Sequence, residues 1–135
     1  KWPDALMLLA ATLGGTAISE GLKMGFNRPR PDLVAHIVET TSMSFPSGHA
    51  MLSAAAYLTL GALIARTQER RRLRGYILGV AILLTLLIGA SRIYLGVHWP
   101  TDVLAGWCLG AAWALACWGV ATWVTNNASF GGKGR

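Results

Sequence analysis

Two imidazoles and a carboxylate stand at spacings that could carry nucleophilic and acid–base chemistry. His98 precedes Asp102 by four residues in the run His98-Trp99-Pro100-Thr101-Asp102. A helix that already includes His98 would put both side chains on one face. A helix that starts at Pro100 leaves the contact to the preceding turn. In either geometry Asp102 can accept the Nδ1 proton, which leaves Nε2 of His98 free as a nucleophile. His49, in Pro46-Ser47-Gly48-His49, is suited to protonate a departing alkoxide and then to activate water.

Three cations accompany them: Lys23, Arg30 and Arg92. Arginine offers a planar fork of donors and lysine a mobile point charge, and both match phosphate oxygens. A turn such as Pro46-Ser47-Gly48 that leads into a helix presents free backbone N–H groups and a positive helix end. Gly48 lets a ligand approach that backbone, and the Ser47 hydroxyl adds a donor. Ser91, beside Arg92, offers another. Taken singly, each residue has a plainer use. Asp102 and Ser47 could simply cap helices, a lone histidine is more often a packing residue, and Arg92 could anchor a helix end in lipid headgroups. Together they converge on phosphoryl transfer. Two histidines and one carboxylate among three cations make a poor metal site, so no metal is expected. His36 receives no catalytic role.

The elements that must position these groups read as membrane helices. Charged residues make up 13% of the chain, against roughly 25% in ordinary soluble domains. One uncharged stretch lies within Pro3–Leu22, a second covers Ala50–Ala65, a third Gly75–Ser91, and a fourth runs from near Thr101 past Val124. A spanning helix needs roughly 17–25 mostly apolar residues. The third and fourth qualify outright, the first two once their ends are included. A soluble four-helix protein would have no polar face left for water. The expected fold is therefore all-α, a polytopic membrane bundle with four transmembrane helices in one domain over residues 1–135. The Gly106-x-x-x-Gly110 pair would allow close helix approach. The six tryptophans are expected to supply interface anchoring or lipid contact. Cys108 and Cys117 fall about 13 Å apart along one helix, too far for a mutual disulfide.

The formal net charge of +6 does not indicate nucleic acid, because five arginines are concentrated between Arg66 and Arg74 and no nucleic-acid motif is present. That short basic loop marks the cytoplasmic side. Alternation then places Lys1 and the Lys133/Arg135 tail with it, and the Lys23–Gly48 loop and the Arg92–Pro100 turn outside. Lys23, Arg28 and Arg30 violate the charge rule in that outer loop, which makes them candidates for a job other than topology. The loop is long for a helix connection, and loops of that length are usually functional or disordered. Pro29, Pro31 and Pro46 restrict it, and short helical turns could form within it.

These residues resemble the type 2 phosphatidic acid phosphatase superfamily. Its Lys-x6-Arg-Pro motif corresponds to Lys23 through Arg30-Pro31, its Pro-Ser-Gly-His motif to Pro46–His49, and its Ser-Arg-x5-His-x3-Asp motif to Ser91-Arg92, His98 and Asp102. The resemblance implies a phosphohistidine at His98, partnered by Asp102, with His49 as general acid. It implies that Lys23, Arg30, Ser47, Gly48, Ser91 and Arg92 hold the phosphoryl group, without metal or other cofactor. The implied substrate is a lipid phosphate monoester or pyrophosphate. The implied setting is a bacterial cytoplasmic membrane with the site facing outward, among relatives of phosphatidylglycerophosphate and undecaprenyl-pyrophosphate phosphatases. Membrane members usually have six spanning helices, so the four here are expected to be the last four, with others upstream of Lys1. The family also includes vanadium haloperoxidases, so vanadate-dependent oxidation is an alternative. A non-catalytic phospholipid-binding module is another.

Overall fold

The computed structural model describes residues 2–32 and 42–131. His36, any turns in the middle of the long loop, and the flanking charges at Lys1, Lys133 and Arg135 lie outside the described residues. The chain forms α1 (Trp2–Phe26), α2 (Gly48–Arg66), α3 (Arg71–Tyr94) and α4 (Pro100–Gly131). All four are long and apolar enough to cross a membrane.

Helix ends follow local chemistry. Asn27 takes a left-handed backbone, φ 43°, and closes α1 just before Pro29. Ser47 caps α2 by accepting the Ala50 N–H at 3.5 Å. Gly96, φ 68°, turns the chain after α3, and Pro100 opens α4. Two helices are longer than their uncharged runs. α1 extends past Leu22 to include Lys23, and α3 runs from Arg71 to Tyr94 and so contains Ser91 and Arg92. Arginine and lysine are good helix formers, and their long stems let a terminal turn reach toward the polar interface.

α2 is the central helix and packs on all three others. Half of its apolar window is buried, against 17% for α3, whose outward Leu83 and Leu87 are exposed. Close approach depends on small residues. A Cβ on Gly106 would lie 2.7 Å from the Ser47 carbonyl oxygen, and one on Gly110 would overlap the Met51 carbonyl. The Gly106/Gly110 pair therefore lets α4 rest on the backbone of α2. Tryptophans fill two other contacts. Trp107 covers Gly89 of α3 and donates to the Thr85 carbonyl at 3.1 Å; Trp113 covers Gly14 of α1 and donates to Ala10 at 3.2 Å. These two rings are helix-packing groups, which corrects the expectation of interface anchoring or lipid contact for Trp107 and Trp113. Only Trp2 and Trp123 among the tryptophans are widely exposed.

The glycine contacts make a direct test. Gly110→Ala should lower stability by about 1–3 kcal/mol through forced separation of α2 and α4. Gly119→Ala, in the same helix but with open space around it, should leave the unfolding temperature in detergent unchanged or slightly raised. Equal melting of the two variants would contradict the packing described.

Candidate active site

One end of the bundle gathers the predicted residues. The last turn of α1 supplies Lys23, the segment after it Arg30, the start of α2 Gly48 and His49, the last turn of α3 Arg92, and the first turn of α4 Asp102. The Arg66–Arg74 loop lies at the other end, where Arg66 pairs with Asp4 of α1 and stacks on Trp118.

Asp102 is fully buried. Its Oδ2 accepts the Trp99 N–H at 2.9 Å and the Ser44 hydroxyl, and its Oδ1 accepts Arg28 Nη1 at 2.7 Å. Its carbonyl accepts the Ser47 N–H at 3.0 Å, which ties the start of α4 to the start of α2. Because α4 begins at Pro100, His98 belongs to the turn. Its Nδ1 stands 3.6 Å from Asp102 Oδ2, outside hydrogen-bond range, and is buried with no hydrogen-bond partner.

His98 Nε2 lies 3.3 Å from Arg30 Nη1. A guanidinium has donors and no acceptor, so Nε2 presents its lone pair to Arg30 and the ring proton resides on Nδ1, toward Asp102. Burial first, and the Arg30 charge second, hold the His98 imidazole down to about 4, against the pull of Asp102. The ring is neutral at physiological pH. Arg30 is fixed by bonds to the Val97 carbonyl (2.8 Å), the Ser42 carbonyl (2.8 Å) and the Ser42 hydroxyl (3.1 Å). Burial lowers its own pKa, with Asp102 opposing.

Across from this pair, Lys23 Nζ bonds Glu20 at 2.7 Å and lies 3.4 Å from the point a Gly48 Cβ would occupy. The missing side chain leaves the start of α2 open to the ammonium. His49 is exposed, with Arg92, Lys23 and Arg30 within electrostatic reach. The Ser91 hydroxyl turns back to the Ile88 carbonyl at 2.7 Å and accepts Arg92 Nε at 3.3 Å, so it orients Arg92 in this arrangement. Ser47 is buried in its capping position. Among the described residues no set of three His, Cys, Asp or Glu side chains forms a metal-ligand cluster.

Sequence reasoning assigned no role here to Arg28, Ser42 or Ser44. Arg28 did carry a signal, as a cation that breaks the charge pattern expected of the outer loop. The serines carried none, since their contacts depend on the loop folding back. Trp99 also joins the site: Arg28 lies 5.6 Å from its ring centre, and its Nε1 donates to the Pro29 carbonyl at 3.2 Å.

The PAP2 superfamily model matches residues 4–126. The chain is 38% identical over 115 residues to phosphatidylglycerophosphatase B of Bacillus subtilis (strain 168), covering 81% of this chain and 53% of that one. It is 42% identical over 71 residues to an undecaprenyl-diphosphatase of Sulfolobus acidocaldarius, covering 53% of this chain and 30% of the relative. The crystal structure of a transmembrane PAP2 type phosphatidylglycerolphosphate phosphatase from Bacillus subtilis superposes with a TM-score of 0.82 at 33% identity, over 89% of this chain and 59% of that one. The chain thus spans about half the length of the first of these relatives. With these likenesses, four membrane-length helices make it a multi-pass membrane protein.

The electrostatics predict a titration. In protein carrying labelled histidine, the His98 ring should remain neutral at pH 6 and titrate near 4 by NMR. Arg30→Met removes a charge that disfavours the imidazolium, so the midpoint should rise. A wild-type midpoint near the ordinary 6.5 would refute this account.

Proposed function

The chain belongs to the PAP2 superfamily, and from that membership we propose that it hydrolyses a lipid phosphate monoester or pyrophosphate through a phosphohistidine. The observation that carries the reading is the His98–Arg30 contact. A buried neutral imidazole presents its lone pair 3.3 Å from a guanidinium nitrogen. A phosphoryl oxygen that takes over the Arg30 N–H frees that lone pair and brings phosphorus up to it.

The residues take roles accordingly. Lys23, Arg30 and Arg92 bind the phosphoryl oxygens, together with the first N–H groups of α2 at Gly48 and His49. His98 Nε2 donates its electron pair to phosphorus as the bond to the lipid oxygen breaks, and protonated His49 gives that oxygen its proton. Asp102 stabilises the positive charge that develops on the His98 ring. Neutral His49 then takes a proton from water, the water oxygen attacks phosphorus, the P–N bond breaks, and inorganic phosphate leaves with His98 restored. No step calls for a metal, since the cations already neutralise the equatorial oxygens.

The proposed setting is the bacterial cytoplasmic membrane with the site on the extracytoplasmic side. Its support is the position of the Arg66–Arg74 loop at the end of the bundle opposite the site. The names of the relatives frame the substrate class, which includes phosphatidylglycerophosphate and prenyl pyrophosphates.

Purified full-length protein in detergent should release phosphate from phosphatidylglycerophosphate or undecaprenyl pyrophosphate in EDTA. His98→Ala should lower the rate at least about a thousandfold and abolish an acid-labile phosphoenzyme. His49→Ala should slow alkyl phosphates far more than an activated aryl phosphate, whose leaving group needs no proton. Undiminished turnover in His98→Ala would end the proposal. Vanadate should inhibit and should not confer peroxide-dependent halogenation.

A further inference from the structure

Asp102 does not direct its charge to His98 alone, and the group that shares it fills a variable position of the first motif, between Lys23 and Arg30. Arg28 Nη1 donates to Asp102 Oδ1 at 2.7 Å and to the Thr101 hydroxyl at 2.8 Å. Its guanidinium stacks on Trp99, and its backbone carbonyl accepts the Ser44 N–H at 2.9 Å. Ser44 in turn donates its hydroxyl to the other oxygen of the same carboxylate. Arg28 and Ser44 thus clamp Asp102 from both of its oxygens. The carboxylate stops short of His98, whose Nδ1 stays 3.6 Å away.

We propose that Arg28 is a positioning residue for the reaction: its ion pair with Asp102 offsets the buried carboxylate and so keeps His98 a neutral nucleophile. This rests on the roles proposed above for His98 and Asp102. The physical reason is a balance of charges around one ring. Arg28 and Arg30 approach from the segment after α1, Asp102 from α4, and Lys23, His49 and Arg92 from the ends of α1, α2 and α3. Among the described residues, Asp102 is the anion paired against the imidazole, and Glu20 is occupied at Lys23. An uncompensated buried carboxylate would draw a proton onto the ring and convert the nucleophile into an imidazolium with no lone pair. Arg28 prevents that by giving the carboxylate a permanent counter-charge on the side away from His98. The Asp102 end of the pair is fully buried while the Arg28 side chain is 38% exposed, so solvent weakens the pairing and does not cancel it.

Arg28 also makes Asp102 rigid. A carboxylate held by three donors keeps its place, so it is the His98 ring that closes the distance to Asp102 when it gains positive charge during attack. The contact is long in the resting enzyme and strengthens as the phosphohistidine forms. Strengthening toward the transition state is what accelerates a reaction.

The test is the pH dependence of kcat/KM for an activated aryl phosphate, measured on full-length protein in detergent. Arg28→Gln should move the acid limb up by about one pH unit, lowering the rate below that limb about tenfold. Arg28→Met is a second charge-free variant that retains stacking on Trp99, in case the glutamine variant does not fold. It should move the limb in the same direction. Arg28→Lys restores the charge without the fork and should hold the limb near its wild-type position while lowering kcat. A purely structural role would scale activity down equally at every pH, and that result overturns the inference, as does a limb that moves as far in Arg28→Lys as in Arg28→Gln. His98→Ala, run in parallel, separates the two levels. Activity surviving in it defeats the proposed mechanism, whereas loss of activity there with an unmoved limb in both charge-free variants defeats the Arg28 role alone.

Discussion

The arrangement depends on one buried carboxylate. Asp102 has no exposed surface, and a charge in that position is tolerable only when donors surround it. The donors come from across the chain. Arg28 arrives from the end of α1, Ser44 from the approach to α2, and Trp99 from the turn before α4. Satisfying one side chain therefore fastens three segments to each other. The Ser47 N–H on the Asp102 carbonyl adds the start of α2. His98 and Arg30 meet where they do because the segments that carry them are tied down at this point.

That knot needs α4 to lie close against α2, and the glycines make this possible. Gly106 sits against the carbonyl of Ser47, the cap of α2, one turn below Asp102. A larger residue would push the start of α4 away from Ser47 and lengthen the bond between them. Between helices in a membrane there is little hydrophobic drive, so packing and hydrogen bonding hold the interface. Trp107 over Gly89 and Trp113 over Gly14 do the same for α3 and α1. Precision at the polar end is thus set by small residues in the apolar body.

Much of this was legible in the sequence, and the limits have physical causes. Four helices followed from uncharged runs, because lipid demands them. Their ends did not, since the terminal turns at Lys23 and Arg71 are charged yet still helical. The convergence of Lys23, Arg30, His49, Arg92, His98 and Asp102 followed from helix alternation. The start of α4 at Pro100 was one of two readings, and it decides that the His98–Asp102 contact comes from a turn. Arg28 was visible only as a cation out of place. Ser44 and Ser42 were invisible, because their partners Asp102 and Arg30 are distant in sequence and no spacing encodes the fold-back. Two of the tryptophans misled: composition favours an interface, whereas the rotational register of α4 puts Trp107 and Trp113 over glycines.

Helix polarity explains why the cations stand where they do. An up-and-down bundle brings two N-termini and two C-termini to each face, so the backbone dipoles at the site nearly cancel. The side chains break the tie. Lys23 sits in the last turn of α1 and Arg92 in the last turn of α3, each against a negative helix end. At the two positive ends the chain does opposite things. α4 carries Asp102 in its first turn, whereas α2 has no acidic residue there. Of the two helix starts at this end, the one without an acidic residue in its first turn is the one opened by Gly48, beside Lys23. At this face three helix ends carry a side chain of opposite charge, and the fourth carries none, which suits the anion site proposed there. In the proposed reaction an anion drawn there comes under Lys23, Arg92 and Arg30 together, within the field that also reaches His49.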